Sequence, residues 1–472
     1  MRMLQLAQVA QRHTHSRTFV CKKLRSGHPQ TAAMAFLVLG RLCVLALFPL
    51  SAPAEPLLRA LRTGAVANAA AERAKAAGGI APVGGPQVVV KLQRVGARST
   101  GDAGLSTDVG FYVGRVAVGT PEPQVFTVLF DTGSGHVLLP SAKCENPACL
   151  ERRRYLLDNS VSAQAIESDG RPVNHTRKSK EVLRIEFAQI DLGDGGVNGS
   201  AVRDIVCFGG AVGGEGCANL GLVAADTMDE VPFRAVPYDG MVGLALDGQI
   251  FSSPLFSVLR SLAAGAPGML PQFSFALRGP VGELSFGAPG PEASRALPPH
   301  WFPVARPEEG YWQVRIFAVH VGNVTVEACA SGCRGIVDTG ASRLGVPMGL
   351  VPKLSALLGA SPVAGGGCQG PDLHLDLGGM MLTLKAQDYA GPGCGDAQLK
   401  PLNLDPQDVF AGAFVLGETV LRRYDTTFDW ATPRIGFSPA VPRAVRLGPP
   451  VPGAVAAQGQ AEAGDVLRVV QI

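Results

Sequence analysis

Two aspartates, each followed by threonine and glycine, carry the strongest chemical signal in the sequence. Asp131 ends the apolar run Val128-Leu-Phe130, and Asp338 ends a second apolar run half a chain later. A carboxylate at the end of a buried strand must be neutralised or hydrogen-bonded, because an unpaired buried charge is too costly to keep. One Asp-Thr-Gly is typical of an ordinary turn, but two copies framed by hydrophobic strands predict one site built twice.

Two carboxylates can supply both groups that peptide hydrolysis needs. One acts as the base that activates water, and the other as the acid that serves the departing amine. If Asp131 and Asp338 meet, repulsion between like charges favours one shared proton. This chemistry needs no metal and no cofactor. A zinc site is disfavoured because no Cys-x-x-Cys pair is present, and a serine nucleophile because no Gly-x-Ser-x-Gly turn is present.

The elements that would position the two acids also occur in pairs. The stretch 111–130 alternates around Gly119-Thr-Pro121, which predicts a hairpin that leads into Asp131. The apolar segment 238–246 follows the first acid, and a similar segment, 414–428, follows the second. The internal duplication therefore extends beyond the catalytic triplets.

Taken together, the triplets, the opening hairpin and the repeated apolar segments resemble the pepsin-like aspartic endopeptidase family over residues 110–440. The resemblance implies an all-β, bilobal fold with an active-site cleft between two pseudo-symmetric lobes. It also implies an aspartic endopeptidase in which Asp131 and Asp338 activate one water without a covalent intermediate. The alternative is a catalytically inactive peptide- or protein-binding member of the same fold. Retention of Asp, Thr and Gly in both triplets argues against that alternative.

The resemblance also implies a set of supporting residues around the acids. These are Thr132, Gly133, Ser134, Thr339, Gly340 and Ser342. The glycines allow a tight turn and close backbone approach, and the threonine hydroxyls are expected to reach the backbone of the opposite lobe.

The residues beside the two triplets differ. Ser134 is expected to hydrogen-bond its acid, whereas the equivalent residue of the second copy, Ala341, has no hydroxyl. One donor that would stabilise a carboxylate is thus missing, so we expect maximal activity at a pH less acidic than that of a stomach protease. His136 is expected at the surface or at the rim of the pocket.

Residues 182–206 form a predicted hairpin with a glycine-rich tip, which resembles the flap that closes over the cleft in this family. Phe187 occupies the position where most members carry a tyrosine, and Leu138 that of its usual tryptophan partner. Losing both members together leaves no orphaned donor. The sequence therefore predicts an apolar cover over the cleft.

Composition shifts divide the chain. Residues 35–50 resemble the apolar core of a signal peptide, and Ala52-Pro-Ala54 has small residues at the spacing that signal peptidase accepts. The role of the basic residues 1–34 stays open. The expected segments are a leader at 1–54, a propeptide or linker at 55–104, an N-terminal lobe with the flap at 105–278, a C-terminal lobe at 279–440 and a disordered tail at 441–472.

The strand predicted at 87–98 has two interpretations. Its basic residues could belong to a prosegment arm that covers an acidic cleft, or the strand could be an edge strand of the mature enzyme.

The charge does not imply a nucleic-acid partner, and we expect none. The leader contains seven of the 42 Lys and Arg and no acid, so the remainder has 35 basic residues against 39 Asp and Glu. We expect a polypeptide substrate bound in extended conformation, a monomer, and no membrane span in the mature chain. The expected location is the secretory pathway, either secreted or in a lysosome- or vacuole-like compartment, with a signal-anchored endomembrane protein as the alternative.

Eight cysteines lie outside the leader, an even number typical of disulfides in an oxidising compartment. The expected pairs are Cys144 with Cys149, Cys329 with Cys333 and Cys368 with Cys394 by resemblance, and Cys207 with Cys217, which match no common family pair. Three Asn-x-Ser/Thr sequons are candidate glycosylation sites, Asn174, Asn198 and Asn323.

Overall fold

A computed structural model describes most of the chain that follows the predicted leader and propeptide. The described residues are 85–97, 109–173, 181–189, 193–209, 214, 216–251, 253–293, 297–327, 329, 332–403 and 412–440. They all belong to one compact unit, Pro82–Ile472; a second unit, Met1–Ala81, lies outside them. The predicted leader, most of the segment 55–104, the sequon at Asn174 and the tail 441–472 also lie outside the described residues.

Strands dominate the described residues. In chain order they are β1 (Gln87–Gly96), β2 (Gly110–Val118), β3 (Gln124–Asp131), β4 (Val137–Pro140), β5 (Gln164–Ala165), β6 (Leu183–Gln189), β7 (Gly193–Phe208), β8 (Cys217–Met228), β9 (Gly240–Gly243), β10 (Gln272–Arg278), β11 (Val281–Gly287), β12 (His300–Pro303), β13 (Gln313–Ile316), β14 (Ala318–Val321), β15 (Val324–Glu327), β16 (Cys333–Val337), β17 (Leu344–Pro347), β18 (Ser361–Pro362), β19 (Cys368–Gln369), β20 (Leu373–Asp376), β21 (Met381–Leu384), β22 (Leu399–Leu402), β23 (Ala413–Leu416), β24 (Tyr424–Asp429) and β25 (Arg434–Pro439).

The helices are short. They are α1 (Pro147–Leu150), α2 (Val258–Gly265), α3 (Val351–Leu357), α4 (Ala386–Tyr389) and α5 (Glu418–Leu421), with 3-10 turns at Leu157–Asn159, Asp247–Gln249, Pro254–Phe256, Pro307–Glu309, Met348–Leu350 and Pro392–Cys394. None of the described helices combines the length and the apolar character that crossing a bilayer requires.

One 14-stranded sheet runs through both halves of the protein, in the order β12-β25-β24-β10-β11-β1-β2-β3-β9-β4-β8-β7-β5, with β6 paired to β7. Its middle strands join an N-terminal lobe, which contains the first triplet, to a C-terminal lobe, which contains the second. The C-terminal lobe adds a 5-stranded sheet, β13-β16-β23-β17-β22, a 4-stranded sheet, β15-β14-β20-β21, and a 2-stranded sheet, β18-β19. The all-β architecture expected from the sequence is therefore confirmed.

Each lobe repeats one arrangement of three strands. In the N-terminal lobe β9 runs parallel to β3 and antiparallel to β4. In the C-terminal lobe β23 runs parallel to β16 and antiparallel to β17. The apolar segments that the sequence repeats after each acid supply the third strand in both cases, so the duplication is structural as well as sequential.

The strand β1 is an inner strand of the large sheet. It pairs antiparallel with β11 from Gln87 to Gln93 and with β2 from Gln93 to Gly96. Its alternate residues are apolar and buried, as a strand packed on one face requires. The interpretation of this segment as an edge strand is therefore wrong, because its hydrogen bonds are taken on both sides.

The main core extends across both lobes. Trp312 is fully buried, and its indole Nε1 donates to the carbonyl of Leu244 at 2.8 Å, from one lobe to the other. Phe273 of β10 stacks on Phe428 of β24 with ring centroids 4.6 Å apart. Aromatic packing at the lobe junction thus holds the sheet that supports the catalytic loops.

Candidate active site

Each aspartate of the two triplets lies at the end of a buried strand. Asp131 is the last residue of β3 and pairs with Gly243 of the parallel strand β9. Asp338 follows β16, and its amide donates to the carbonyl of Leu416 in the parallel strand β23 at 3.2 Å. The same strand arrangement therefore delivers both acids to the junction between the lobes.

The turn after each acid has the same hydrogen bond in both copies. The amide of Gly133 donates to Oδ1 of Asp131 at 2.8 Å, and the amide of Gly340 donates to Oδ1 of Asp338 at 2.8 Å. A backbone donor fixes the carboxylate plane without adding a charge. The turn therefore orients Oδ1 of both acids in the same way.

The two threonines bind the lobes to each other reciprocally. The hydroxyl of Thr132 donates to the carbonyl of Val337 at 2.8 Å, and that of Thr339 donates to the carbonyl of Phe130 at 2.7 Å. Each hydroxyl also accepts a hydrogen bond at 3.0 Å from the amide of the other threonine. The hydrogen bonds to the opposite backbone that the resemblance implied are thus present, and they fix the distance between the two loops.

The two carboxyl groups face each other across this junction. A β-carbon added to Gly133 would lie 3.0 Å from the carboxyl atoms of Asp338, and one added to Gly340 would lie 2.6 Å from Oδ1 of Asp131 and 3.1 Å from Oδ1 of Asp338. Both Oδ1 atoms lie close to the same added β-carbon on Gly340, at 2.6 Å and 3.1 Å, so the distance between them is at most the total of these two lengths. One water molecule that makes two O–H···O hydrogen bonds of up to about 3.0 Å can bridge that separation.

Asp131 is buried, with 8% of its surface exposed, and Asp338 is more open. Tyr238 lies close enough for the negative charges of both acids to act on it. Burial is the main cause that raises the pKa of its phenol, and the charge of Asp131 raises it further. The phenol therefore stays protonated beside the acids.

Tyr238 was not predicted from the sequence as a residue of the site. The signal for it in the sequence was its place at the start of the segment 238–246, directly before the mostly apolar run 240–246.

Ser134 does not hydrogen-bond its acid, which corrects the expectation from the sequence. Its hydroxyl instead contacts the sulfur of Met241 at 3.1 Å. Met241 lies on β9, directly beside the loop, and its sulfur is a weak acceptor within reach of the hydroxyl. Ala341 in the second copy is buried and has no hydroxyl, so the side chain that follows each Asp-Thr-Gly supplies no hydrogen bond to the carboxylate.

Ser342 makes a contact between the loop of the second acid and the start of the central sheet. Its hydroxyl donates to the carbonyl of Gly110, the first residue of β2, at 2.5 Å. The supporting role expected for Ser342 thus includes a contact with the opposite lobe.

His136 is packed into the wall behind the first triplet. Its Nε2 accepts the amide proton of Phe251 at 3.1 Å, and its ring lies 4.0 Å from the ring of Phe251 between centroids. Burial lowers its pKa to about 4. The imidazole is therefore neutral at ordinary pH, and it acts as a hydrogen-bond acceptor in the wall.

The predicted flap is the hairpin of β6 and β7. Phe187 pairs with Gly195 on the opposite strand, whereas its side chain and residues 190–192 at the tip lie outside the described residues. Leu138, at the position of the usual tryptophan, is buried on β4 and pairs with Met241 of β9. An aliphatic residue therefore fills the wall at that position.

All eight cysteines outside the leader form disulfides in the pairs expected. These are Cys144–Cys149, Cys207–Cys217, Cys329–Cys333 and Cys368–Cys394. Among the described residues, Glu327, Cys329 and Cys333 are the group close enough to hold a metal ion, but their two sulfur atoms are joined to each other.

Two sequons lie among the described residues. Asn323 is exposed in the turn between β14 and β15. Asn198 lies within β7, where its side-chain amide donates to the hydroxyl of Thr227 at 3.0 Å. Asn323 is thus the more accessible of the two.

Comparison with known proteins agrees with this geometry. The model of the family "Eukaryotic aspartyl protease" matches residues 111–440. Pepsin II-1 of Oryctolagus cuniculus is 28% identical over 355 residues, which cover 70% of this chain and 81% of that protein. Cathepsin E of Mus musculus is 29% identical over 355 residues, with 70% and 80% covered. Pepsin II-2/3 of Oryctolagus cuniculus is 30% identical over 349 residues, with 70% and 81% covered. The matched region contains both triplets, the flap hairpin and both lobes, and the chain belongs to the eukaryotic aspartyl protease family.

Proposed function

We propose that this member of the family is an active aspartic endopeptidase, in which Asp131 and Asp338 share one water molecule as nucleophile. The observation that carries the proposal is the reciprocal placement of the acids. The carboxyl of each lies against the glycine of the other triplet, within the reach of a single bridging water.

The proposed reaction uses only these two side chains and water. The ionised acid takes a proton from the water as it attacks the scissile carbonyl carbon, while the protonated acid donates to the carbonyl oxygen. As the C–N bond of the tetrahedral intermediate breaks, the acid that took the water proton gives it to the departing amine, and the other carboxylate takes back a proton from a hydroxyl of the intermediate. Like-charge repulsion keeps one proton on the pair, so an acid and a base are present together.

The cleft is suited to a polypeptide in extended conformation. The flap strand β7 is hydrogen-bonded to β8 and carries a glycine-rich approach to the tip, and Leu138 and Met241 line the core behind the first loop. An extended chain between flap and loops would place one peptide carbonyl over the acids. Apolar surroundings favour cleavage between apolar side chains.

Four disulfides favour an oxidising compartment. We therefore place the enzyme in the secretory pathway, with the upstream segment 55–86 as the candidate propeptide.

The decisive experiment is cleavage of an unfolded protein by purified protein, with and without a statine-type inhibitor. We expect cleavage that the inhibitor blocks, and a fall in kcat of at least about 10²-fold in either Asp131→Asn or Asp338→Asn, because each variant removes one half of the acid–base pair. Asp247→Asn is a matched control, since Asp247 is an exposed partner of Arg260. It should keep wild-type activity.

The inactive binding protein remains the rival function. Absence of turnover at every pH between about 3 and 7, in wild-type protein that is folded and still binds the inhibitor, would establish that rival and reject the endopeptidase.

A further inference from the structure

We propose that β1 is a permanent part of the active enzyme, and that Arg94 on this strand is a positioning residue that holds the loop of Asp338 in place through Glu418. The inference rests on the proposed endopeptidase function. It also places activating cleavage upstream of Gln87.

The packing of β1 leaves the sheet dependent on it. Val88, Val90 and Leu92 are each at least 95% buried in the main core. Removing the strand would uncover three apolar side chains and would leave one edge each of β2 and β11 without hydrogen bonds, a large cost in the middle of a sheet.

No downstream segment can replace β1. Only residues 97–109 separate the strand from β2, and their sequence is Ala-Arg-Ser-Thr-Gly-Asp-Ala-Gly-Leu-Ser-Thr-Asp-Val. This stretch contains two glycines and has no run of alternating large apolar residues, so it cannot supply three buried side chains on one face. The strand that closes the sheet must therefore be β1 itself.

Arg94 provides the charge that balances a buried acid. Its Nε lies 2.6 Å from Oε1 of Glu418, whose side chain is 5% exposed. The other oxygen of Glu418 has no hydrogen-bond partner among the described residues. Burial raises the pKa of Glu418, whereas the charges of Arg94 and Arg422 lower it. Arg422 is half-exposed and more distant, at 3.3 Å, so Arg94 is the principal counter-charge.

Glu418 is attached directly to the second catalytic loop. Its amide donates to the carbonyl of Ala341 at 2.8 Å, three residues after Asp338. The next residue, Thr419, donates its hydroxyl to the carbonyl of Ser342 at 3.4 Å. A shift of the Glu418 carboxylate would therefore move the backbone that holds Asp338.

Arg94 is also connected to the loop of Asp338 through Gly110 of the central sheet. The guanidinium of Arg94 covers Gly110 so closely that a β-carbon there would lie 2.4 Å from its Cζ, and the carbonyl of Gly110 accepts the hydroxyl of Ser342. Arg94 thus contacts both structures that flank the loop, the start of α5 and the start of β2. These contacts reach the loop of Asp338 through Glu418 and Gly110, so the role proposed for Arg94 is to position that loop.

The test compares Arg94→Gln with Lys91→Gln. Lys91 lies on the same strand and also pairs at 2.6 Å with a buried acid, Glu283, but among the described residues no contact of that pair reaches a catalytic loop. The measurement is kcat per active site, with sites counted by titration with a tight statine-type inhibitor. We expect kcat to fall about tenfold in Arg94→Gln with little change in KM, because a displaced acid slows the chemical step more than binding.

The expected kcat of Lys91→Gln is that of the wild type. Arg94→Lys should recover most of the activity, since an ammonium can still pair with Glu418. If Arg94→Gln does not fold, the double variant Arg94→Gln with Glu418→Gln removes both charges and leaves no unbalanced acid. A purely structural role would lower the number of titratable sites in Arg94→Gln but leave kcat per site unchanged, and that result would overturn the positioning role.

N-terminal sequencing and intact mass of the purified active protein test the retained strand. The expected first residue lies between Glu55 and Gln87. Active protein that lacks the peptide Gln87–Gly96 would overturn the inference. This outcome is independent of whether the protein is a peptidase, because the N-terminus of mature folded protein can be mapped even when it shows no turnover.

Discussion

Ser134 and Ala341 occupy equivalent positions, each directly after an Asp-Thr-Gly triplet. Neither side chain donates a hydrogen bond to a catalytic carboxylate. The sequence identified Ala341 correctly as lacking a donor, but it could not show that Ser134 contacts Met241 instead of Asp131. Which atom the Ser134 hydroxyl contacts depends on which atoms of β9 lie beside the loop. Met241 is 107 positions away in the chain, so local sequence does not reveal this contact.

The missing donors lead to a pH prediction. Fewer hydrogen bonds to a carboxylate leave its ionised form less stabilised, so we expect kcat/KM on a peptide substrate to peak above about pH 4. Replacing Ala341 by serine adds a hydroxyl beside the second acid and should shift the acidic limb of the profile to lower pH. A wild-type profile that peaks well below that value would refute the prediction.

His136 gives a second prediction. Its pKa is about 4 in the folded protein, below the ordinary value of about 6.5. Between these values the unfolded chain binds a proton that the folded protein does not, so stability is complete above about pH 6.5 and falls as the pH decreases towards 4. We expect this group to cost about 3 kcal/mol of folding free energy by pH 4.

His136→Gln keeps an acceptor for the amide of Phe251 and does not titrate, so its unfolding free energy should depend less on pH across that window. Urea denaturation at several pH values measures the effect. His300→Gln, at an exposed histidine, should retain the wild-type dependence. Identical pH profiles for His136→Gln and the wild type would exclude the assigned role.

At the scale of elements, β7 belongs both to the predicted flap, in which it pairs with β6, and to a hairpin with β8 that contains a disulfide. Cys207 and Cys217 are directly paired across the two strands. Replacing both by alanine should lower the free energy of unfolding by about 2–4 kcal/mol, because the cross-link restricts the unfolded chain. The matched control replaces Cys144 and Cys149 by alanine. Their disulfide closes a loop with half the sequence separation of the Cys207–Cys217 loop. An unchanged denaturation midpoint in reduced and oxidised protein would contradict the prediction.

Local patterns predicted the elements near the triplets better than they predicted the position of β1. The alternation at 111–130 and the apolar segments after each acid depend on neighbouring residues, and the structure has strands at these places. The place of β1 between β2 and β11 depends on pairing with residues nearly two hundred positions away, such as Lys91 with Glu283. A strand with basic and apolar residues is compatible with a prosegment arm, an edge strand or an inner strand of the sheet. The sequence alone therefore could not determine which of these positions β1 occupies.

At the scale of the whole molecule, the sequence predicted two similar halves, and the structure adds how they are joined. Gly243 ends β9 and Gly417 directly follows β23, the third strand of the arrangement in each lobe. A β-carbon at either glycine would lie within 2.6 Å of the backbone of the catalytic loop. The central sheet and the contact of Trp312 with Leu244 then hold the lobes in register. The geometry of the site follows from this junction, which neither triplet contains by itself.

The reciprocal threonine contacts have a consequence for how such a chain can change over generations. Because Thr132 serves the backbone before Asp338, and Thr339 serves the backbone before Asp131, a substitution in either half disturbs both halves at once. Substitutions at the outer surface of one lobe leave these hydrogen bonds intact. At this seam, the contact between the two Asp-Thr-Gly loops, a change in one lobe requires a compensating change in the other. A recombined gene that joined halves from two distant relatives would inherit complete lobes and still lack a working centre unless the seam matched.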